Sequence, residues 1–191
     1  MSDQQHIVNG IDVAKLGETA KTLKKQPDQA QFRFHANNQW EHGGLNHTTF
    51  TSFYGVGEEH QHPTRFVEHA DEPPVLLSNG EAANPVEHLL HALASCMTTS
   101  MVYHAAARGI EVQKIESEIQ GDLDIRGFMG ISPDVRKGYQ SIHLTFHVQS
   151  DGTEEQLAEC ARFSPVYDVV SRGTEVTFDI VKEPANAPAQ R

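Results

Sequence analysis

The chain has 191 residues, 38% of them hydrophobic, a mean hydropathy of −0.48 and a formal net charge of −11. At that length one domain with a sizeable core is the default, and the acidic balance excludes nucleic acid or an anionic membrane as an electrostatic partner. Two cysteines exclude a disulfide scaffold, no run of 18 apolar residues offers a membrane span, and MSDQQHIVNG has no signal-peptide pattern, so a cytoplasmic protein with reduced thiols is expected.

In chain order, Val13, Leu16, Ala20 and Leu23 recur 3, 4 and 3 apart, which predicts an amphipathic helix over residues 9–26, stopped by Pro27. Residues 31–40 follow as a strand, with Phe32, Phe34 and Ala36 on one side and Arg33, His35 and Asn37 on the other. Gly43-Gly44 marks a turn, and 46–54, rich in Thr, Phe and Tyr, is a second strand. Gly55, Gly57 and the polar run 58–62 read as an exposed loop before a third strand at 64–69. Pro73, Pro74, Gly80 and Pro85 keep 71–85 irregular.

Residues 84–109 carry the clearest helix signals. Asn84 suits the N-cap, Pro85 the first turn and Glu87 the acid of a capping box, while Gly109 suits the C-terminal cap. Val86, Leu89, Leu90, Leu93, Cys96, Met97, Met101, Val102 and Ala105 spread round nearly every face, as in a helix buried at a domain centre. Past Gly109 the period falls to 2. Ile115, Ile119, Leu123 and Ile125, then Ile142, Leu144, Phe146 and Val148, predict two strands with one wet face, joined by a Gly-, Arg- and aromatic-rich loop at 126–140. Thr153 and Gln156 open a short helix through Leu157 and Cys160. Ser164-Pro165 opens another, with Val166, Val169 and Val170 inward. Val176, Phe178 and Ile180 predict a last strand, and the tail from Pro184 is expected to be disordered. Strands, helix, then strands give an α+β fold with antiparallel sheets packed around a long central helix.

Asn84-Pro85 and Glu87, set before Cys96, together with Asp71-Glu72-Pro73, Ala107-Arg108-Gly109-Ile110, the stretch GDLDIRGF at 121–128 and Ser164-Pro165-Val166, resemble the OsmC/Ohr superfamily. These are osmotically inducible and organic-hydroperoxide-resistance proteins, and the N-terminal helix and the 126–138 loop resemble a longer branch. The resemblance implies an N-terminal helical extension at 1–30, an OsmC-like domain at 31–183 and a disordered tail at 184–191. It also implies an intertwined homodimer with its central helices buried and its thiols at the subunit interface. The implied chemistry is thiol-dependent reduction of hydroperoxides, preferentially organic ones, in a stress response. It needs no metal or flavin, and an external thiol restores the reduced form. A thiolate attacks the O–O bond, and a nearby Arg with an orienting acid belongs to the family site. By that resemblance Cys96 is the candidate nucleophile and Glu87 a candidate acid.

Three positions depart from the pattern. Ser164 stands where the family's second, resolving cysteine is usual. Val86 follows Asn84-Pro85 where peroxidase members carry Glu, and Glu87 points about 100° away round the helix. No Arg lies in 66–79, which leaves Arg33, Arg65 and Arg126 as candidates without a motif match.

Each feature also has a plainer reading. Cys96 is either a functional thiol among Ser95, Thr98, Thr99 and Ser100 or a small helix-packing residue. Cys160 is a shifted resolving thiol or an incidental helix cysteine, and Glu87 is catalytic, a cap, or both. Among the 12 histidines, the pairs His88/His91 and His60/His62 lack the further ligands of a closed zinc site, while His91 is a candidate neighbour for Cys96 across a dimer. Arg126, Phe128, Met129 and Tyr139 form either a lid over an apolar substrate or a surface loop. Two functions follow: a one-cysteine hydroperoxide reductase acting through Cys96, or a non-enzymatic dimer that binds a small apolar ligand or a partner, with Cys96 structural.

Overall fold

The computed structural model describes residues 6–182, so the tail expected at 184–191 lies outside the described residues. Strands β1 (Ile7–Val8) and β2 (Ile11–Asp12) form a minimal hairpin over Asn9-Gly10. Both turn residues have left-handed φ, 53° and 79°, as an Asn-Gly hairpin turn requires. The Asn9 amide brackets a distant backbone: its Nδ2 donates to the Ile110 carbonyl at 3.0 Å, and its Oδ1 accepts from the Val112 N–H at 2.8 Å. Asn9→Gly keeps the turn conformation and deletes only the bracket. It should cost about 1–3 kcal/mol, seen as a lower urea midpoint at unchanged slope. Helix α1 (Val13–Lys25) follows, capped by Asp12, so the predicted helix begins four residues later than expected because the hairpin takes those residues.

A twisted antiparallel sheet comes next: β3 (Arg33–Phe34), β4 (Asn37–His42), β5 (Leu45–Gly55) and β6 (Glu58–Ala70). Strand β5 is central. It pairs with β6 along one edge and with β4 and β3 in turn along the other. Two expectations are corrected here. The single strand at 31–40 is broken at His35-Ala36, because β3 pairs at Phe53–Tyr54 of β5 and β4 pairs separately at Leu45–Thr49. The run 58–62 is strand rather than loop. Only Val56-Gly57 turn the chain, both with positive φ (51° and 86°), and pairing resumes at once from Gly55 opposite Glu58.

Asp71 organises the passage from β6 to the central helix. It is fully buried, and its Oδ1 accepts from Ser78 Oγ at 2.6 Å and from the Glu72 N–H at 2.8 Å. Its Oδ2 accepts from the Glu81 N–H at 3.0 Å, and Ser78 Oγ also receives the Gly44 N–H at 3.0 Å. One carboxylate therefore ties the β4–β5 turn, the end of β6 and the Pro-rich segment, which holds a short 3-10 turn at Pro74–Leu76. Those bonds, the Ser78 hydroxyl first, hold the carboxyl at about 2, below its ordinary 3.8.

Helix α2 (Pro85–Ala107) has the expected capping box. The Glu87 N–H donates to Asn84 Oδ1 at 3.0 Å, and Glu87 Oε2 accepts from the Asn84 N–H at 2.8 Å. Gly109 ends it at φ +70°. Strands β7 (Val112–Asp122) and β8 (Ser141–Ser150) form a two-stranded sheet. The connection between them contains α3 (Ile125–Phe128), so Leu123 and Ile125 leave the predicted strand. Helix α4 (Glu154–Ala161) carries the Thr153–Gln156 capping box, and α5 (Pro165–Arg172) is capped by Ser164.

The core lies between α2, α4 and the β7–β8 sheet. Met101, Ala105, Ile110, Leu157, Cys160 and Ala161 form it, with Met97, Val112, Ile115, Phe146 and Val148 packed around. Two further expectations differ. Helix α2 is not buried all round within one chain, since Leu89 and Tyr103 are 39% and 44% exposed. The last predicted strand does not form: residues 173–182 carry no regular secondary structure and no ladder partner among the described residues. Apolar alternation alone does not make a strand, which also needs an edge to pair with.

Candidate functional site

Helix periodicity places Cys96 at mid-α2 on the stripe Leu89, Cys96, Tyr103, whose members are seven residues and two turns apart. Cys96 is half-buried, and its neighbours on the stripe are exposed. The thiol therefore lies on the side of α2 that one chain leaves uncovered.

The other thiol is differently placed. Cys160 on α4 is fully buried, and Arg108 Nη1, one residue past the end of α2, donates to its Sγ at 2.8 Å. Arg108 Nη2 donates to Glu159 Oε1 at 3.2 Å, and the guanidinium carbon lies 5.7 Å from the centre of the Phe163 ring. His104 stacks on that ring at 4.0 Å, and burial first, then Arg108, lowers its pKa below 6.5. Among the described residues this is the one guanidinium that donates to a thiol; none donates to Cys96. Sequence reasoning missed it because Arg108 and Cys160 are 52 apart and attention lay on Cys96. The available signal was Arg108 at i+4 from His104 on a helix whose Met101 and Ala105 point into the core.

The remaining predicted residues are scattered. Glu87 is held in the α2 cap and lines a cleft of about 450 Å³ with Pro73, Gly121, Leu123 and Tyr139. Tyr139 OH donates to the Val86 carbonyl at 2.9 Å, and burial together with the Glu87 charge raises its pKa above 10.0. Tyr139 also lines the neighbouring cleft of about 380 Å³, so it forms the wall between the two. Arg126 is turned away: its Nε donates to both Asp124 carboxylate oxygens at 3.0 Å, which holds Asp124 at about 2. Phe128 and Met129 stand exposed outside these clefts. Arg65 Nη2 donates to Thr49 Oγ1 at 3.1 Å on the N-terminal sheet, and Arg33 lies opposite Tyr54.

Ser164 is buried and caps α5 by accepting from the Tyr167 N–H at 3.1 Å. A hydroxyl does this as a thiol would, but it cannot form a disulfide. Of the histidines, His88 Nε2 donates to the His69 carbonyl at 2.9 Å, while His60 and His62 pack against Phe53. Among the described residues no three His, Cys, Asp or Glu side chains converge as a metal set, and no helix is long and apolar enough to cross a membrane.

The family described as OsmC-like protein matches residues 78–179, more than half of the chain, from the approach to α2 to the segment after α5. Among solved structures, the chain is similar to an OsmC-like protein from Mycoplasma pneumoniae at 16% identity and a TM-score of 0.53, over 73% of this chain and 88% of that one. It is also similar to an OsmC-like protein of unknown function from Vibrio cholerae O1 at 16% identity and a TM-score of 0.54, over 78% of this chain and 99% of that one. No match is found among curated proteins.

Proposed function

The chain belongs to the OsmC-like protein family, and we propose that it is a homodimeric, one-cysteine thiol peroxidase that reduces organic hydroperoxides through Cys96. The observation that carries this reading is the contrast between the two thiols: Cys96 is half-buried on an uncovered helix face, whereas Cys160 is fully buried against Arg108. Within one chain only Cys160 is sealed in the core. The Cys96 sulfur attacks the outer oxygen of the hydroperoxide, the O–O bond breaks and the alkoxide leaves with a proton as the alcohol. That leaves Cys96 as a sulfenic acid. With Ser164 in the resolving position, an external thiol then displaces water to form a mixed disulfide. A second external thiol frees Cys96 and carries away the disulfide.

The dimer reading draws support from large apolar side chains that one chain leaves exposed, Leu89 and Tyr103 on α2 among them. In that dimer the stripe Leu89, Cys96, Tyr103 would lie at the margin of the subunit contact. A guanidinium for Cys96 would then come from the partner copy, with Arg65 a candidate because among the described residues its hydrogen-bond partner is a neutral hydroxyl.

The rival is a non-enzymatic dimer that binds an apolar ligand. It is favoured by the Glu87 carboxylate being committed to the helix cap and by the one thiol-bound guanidinium serving Cys160. One assay separates the two: consumption of cumene hydroperoxide and hydrogen peroxide with dithiothreitol or dihydrolipoamide. Wild type should turn over cumene hydroperoxide faster, Cys96→Ser should lose at least about a thousandfold of the rate, and Cys160→Ser should retain it. Turnover that survives Cys96→Ser, or its absence in wild type, leaves the ligand-binding dimer standing.

A further inference from the structure

On strand β8 the even-numbered side chains Ile142, Leu144, Phe146 and Val148 are half-buried, while the odd-numbered ones face solvent. The half-buried row walls two clefts in succession. The first, about 550 Å³, is lined also by Met97 and Met101 of α2 and Leu157 of α4. The second is the cleft of about 380 Å³ that Tyr139 bounds, with Leu93 of α2 and Val170 of α5 in its lining. Met97, Leu144 and Tyr167 line both, so the two join as one apolar groove alongside β8. From Ile142 to Val148 the groove runs roughly 20 Å at about 3.4 Å per residue, the length of an extended palmitoyl chain. Its ends differ in charge. The first cleft carries both Glu154 and Arg162, which leaves that end close to neutral. The second has Arg136 and no carboxylate in its lining. Arg108, Arg126 and Arg172 are each paired with a carboxylate, whereas among the described residues the Arg136 guanidinium has no ion-pair partner. In a chain of net charge −11, that guanidinium is complementary to an anionic head group. The Arg136 end is also fixed in place. Its carbonyl packs so closely on Gly127 that a side chain there would clash, and Tyr139 is held by its bond to the Val86 carbonyl.

We infer that this groove binds a long-chain carboxylate, with its acyl chain along β8 and its head group on Arg136. The ligand is a fatty acid rather than a compact apolar molecule because an elongated site charged at one end suits an amphiphile. Cys96 lines neither cleft, so the site is separate from the thiol and the inference goes beyond the peroxidase reading. The groove is lined within one chain and does not rest on the dimer reading.

Displacement of cis-parinarate, a long-chain polyene carboxylate that fluoresces when buried, tests this on the full chain without peroxide or reductant. Wild type should bind the probe, and palmitate should displace it at least about tenfold better than octanoate or methyl palmitate. Octanoate keeps the head group but leaves much of the groove empty, and methyl palmitate keeps the chain but loses the charge. Arg136→Gln should weaken palmitate on the order of tenfold and leave methyl palmitate unchanged, while Arg162→Gln should change neither by more than about twofold. Methyl palmitate bound as tightly as palmitate overturns the proposal. So does Arg136→Gln without effect, or an effect of Arg162→Gln as large as that of Arg136→Gln. No probe binding in wild type overturns it as well, since another surface, a second copy of the chain included, then closes the groove. Because binding is read without peroxide, failure here leaves the Cys96 assay to stand by itself.

Discussion

Replacing Asp71 with alanine should lower the melting temperature on the order of 10 °C, read by thermal scans at pH 7. The size follows from what the carboxylate holds. It is fully buried and accepts three hydrogen bonds, from Ser78 Oγ and the backbone N–H groups of Glu72 and Glu81. Truncation orphans all three donors together, and a buried donor without a partner costs its full desolvation. Asp71→Asn keeps the volume but presents an amide N–H₂ to a ring of donors, so it should fall nearly as far. The acid limb gives an independent check. Folding lowers this carboxyl to about 2 from 3.8, so its stabilisation is complete above about pH 4 and is lost as pH falls through 2. The gap between wild type and Asp71→Ala should therefore narrow between pH 4 and 2. A gap that stays constant over that window would mean that the carboxylate charge is not what holds the segment.

The consequence reaches the site because Asp71 fixes where α2 begins. The Asp71 N–H donates to the Ala83 carbonyl at 3.3 Å, immediately before the Asn84 cap, and the same carboxylate anchors the β4–β5 turn through Ser78 and Gly44. A slack 71–84 segment would loosen the start of the helix that carries Cys96. Faster modification of Cys96 by a thiol reagent in Asp71→Ala, at temperatures well below its melting point, would show that coupling.

Helix α2 was legible because its signals are local: Asn84, Pro85 and Glu87 specify one end and Gly109 the other, and all behave as their side chains dictate. The β5–β6 hairpin was not, because its turn uses Val56 at φ 51°, a conformation a β-branched residue rarely adopts, and because β6 begins with the polar run Glu58-Glu59-His60. Turn chemistry and hydrophobic alternation both pointed elsewhere, and cross-strand pairing with β5 overrode them. Cys96 was expected on the central helix and lies at mid-α2, and Ser164 was expected as a helix cap and caps α5. What surrounds those residues was not legible, since charge partners are set by tertiary approach: Arg126 is claimed by Asp124 two residues away, and Arg108 by Cys160 across the α2–α4 interface. The C-terminal alternation at Val176, Phe178 and Ile180 predicted a strand that does not form, because alternation says nothing about whether an edge is there to pair with.

Met101→Ala should cost about 3 kcal/mol, a fall in melting temperature of about 8 °C. Met101 is 2% exposed and touches the centre of the core, with Ala105, Leu157, Cys160 and Ala161 around it, so truncation removes buried methylene and thioether contacts that nothing nearby can replace. The value should sit in the lower half of the range for such truncations because Met101 also borders the 550 Å³ cleft, which lets the site relax. Met97→Ala, on the same helix face but only partly buried, should cost about half as much. These contacts all lie within one chain, so the loss should persist at protein concentrations where a dimer has dissociated.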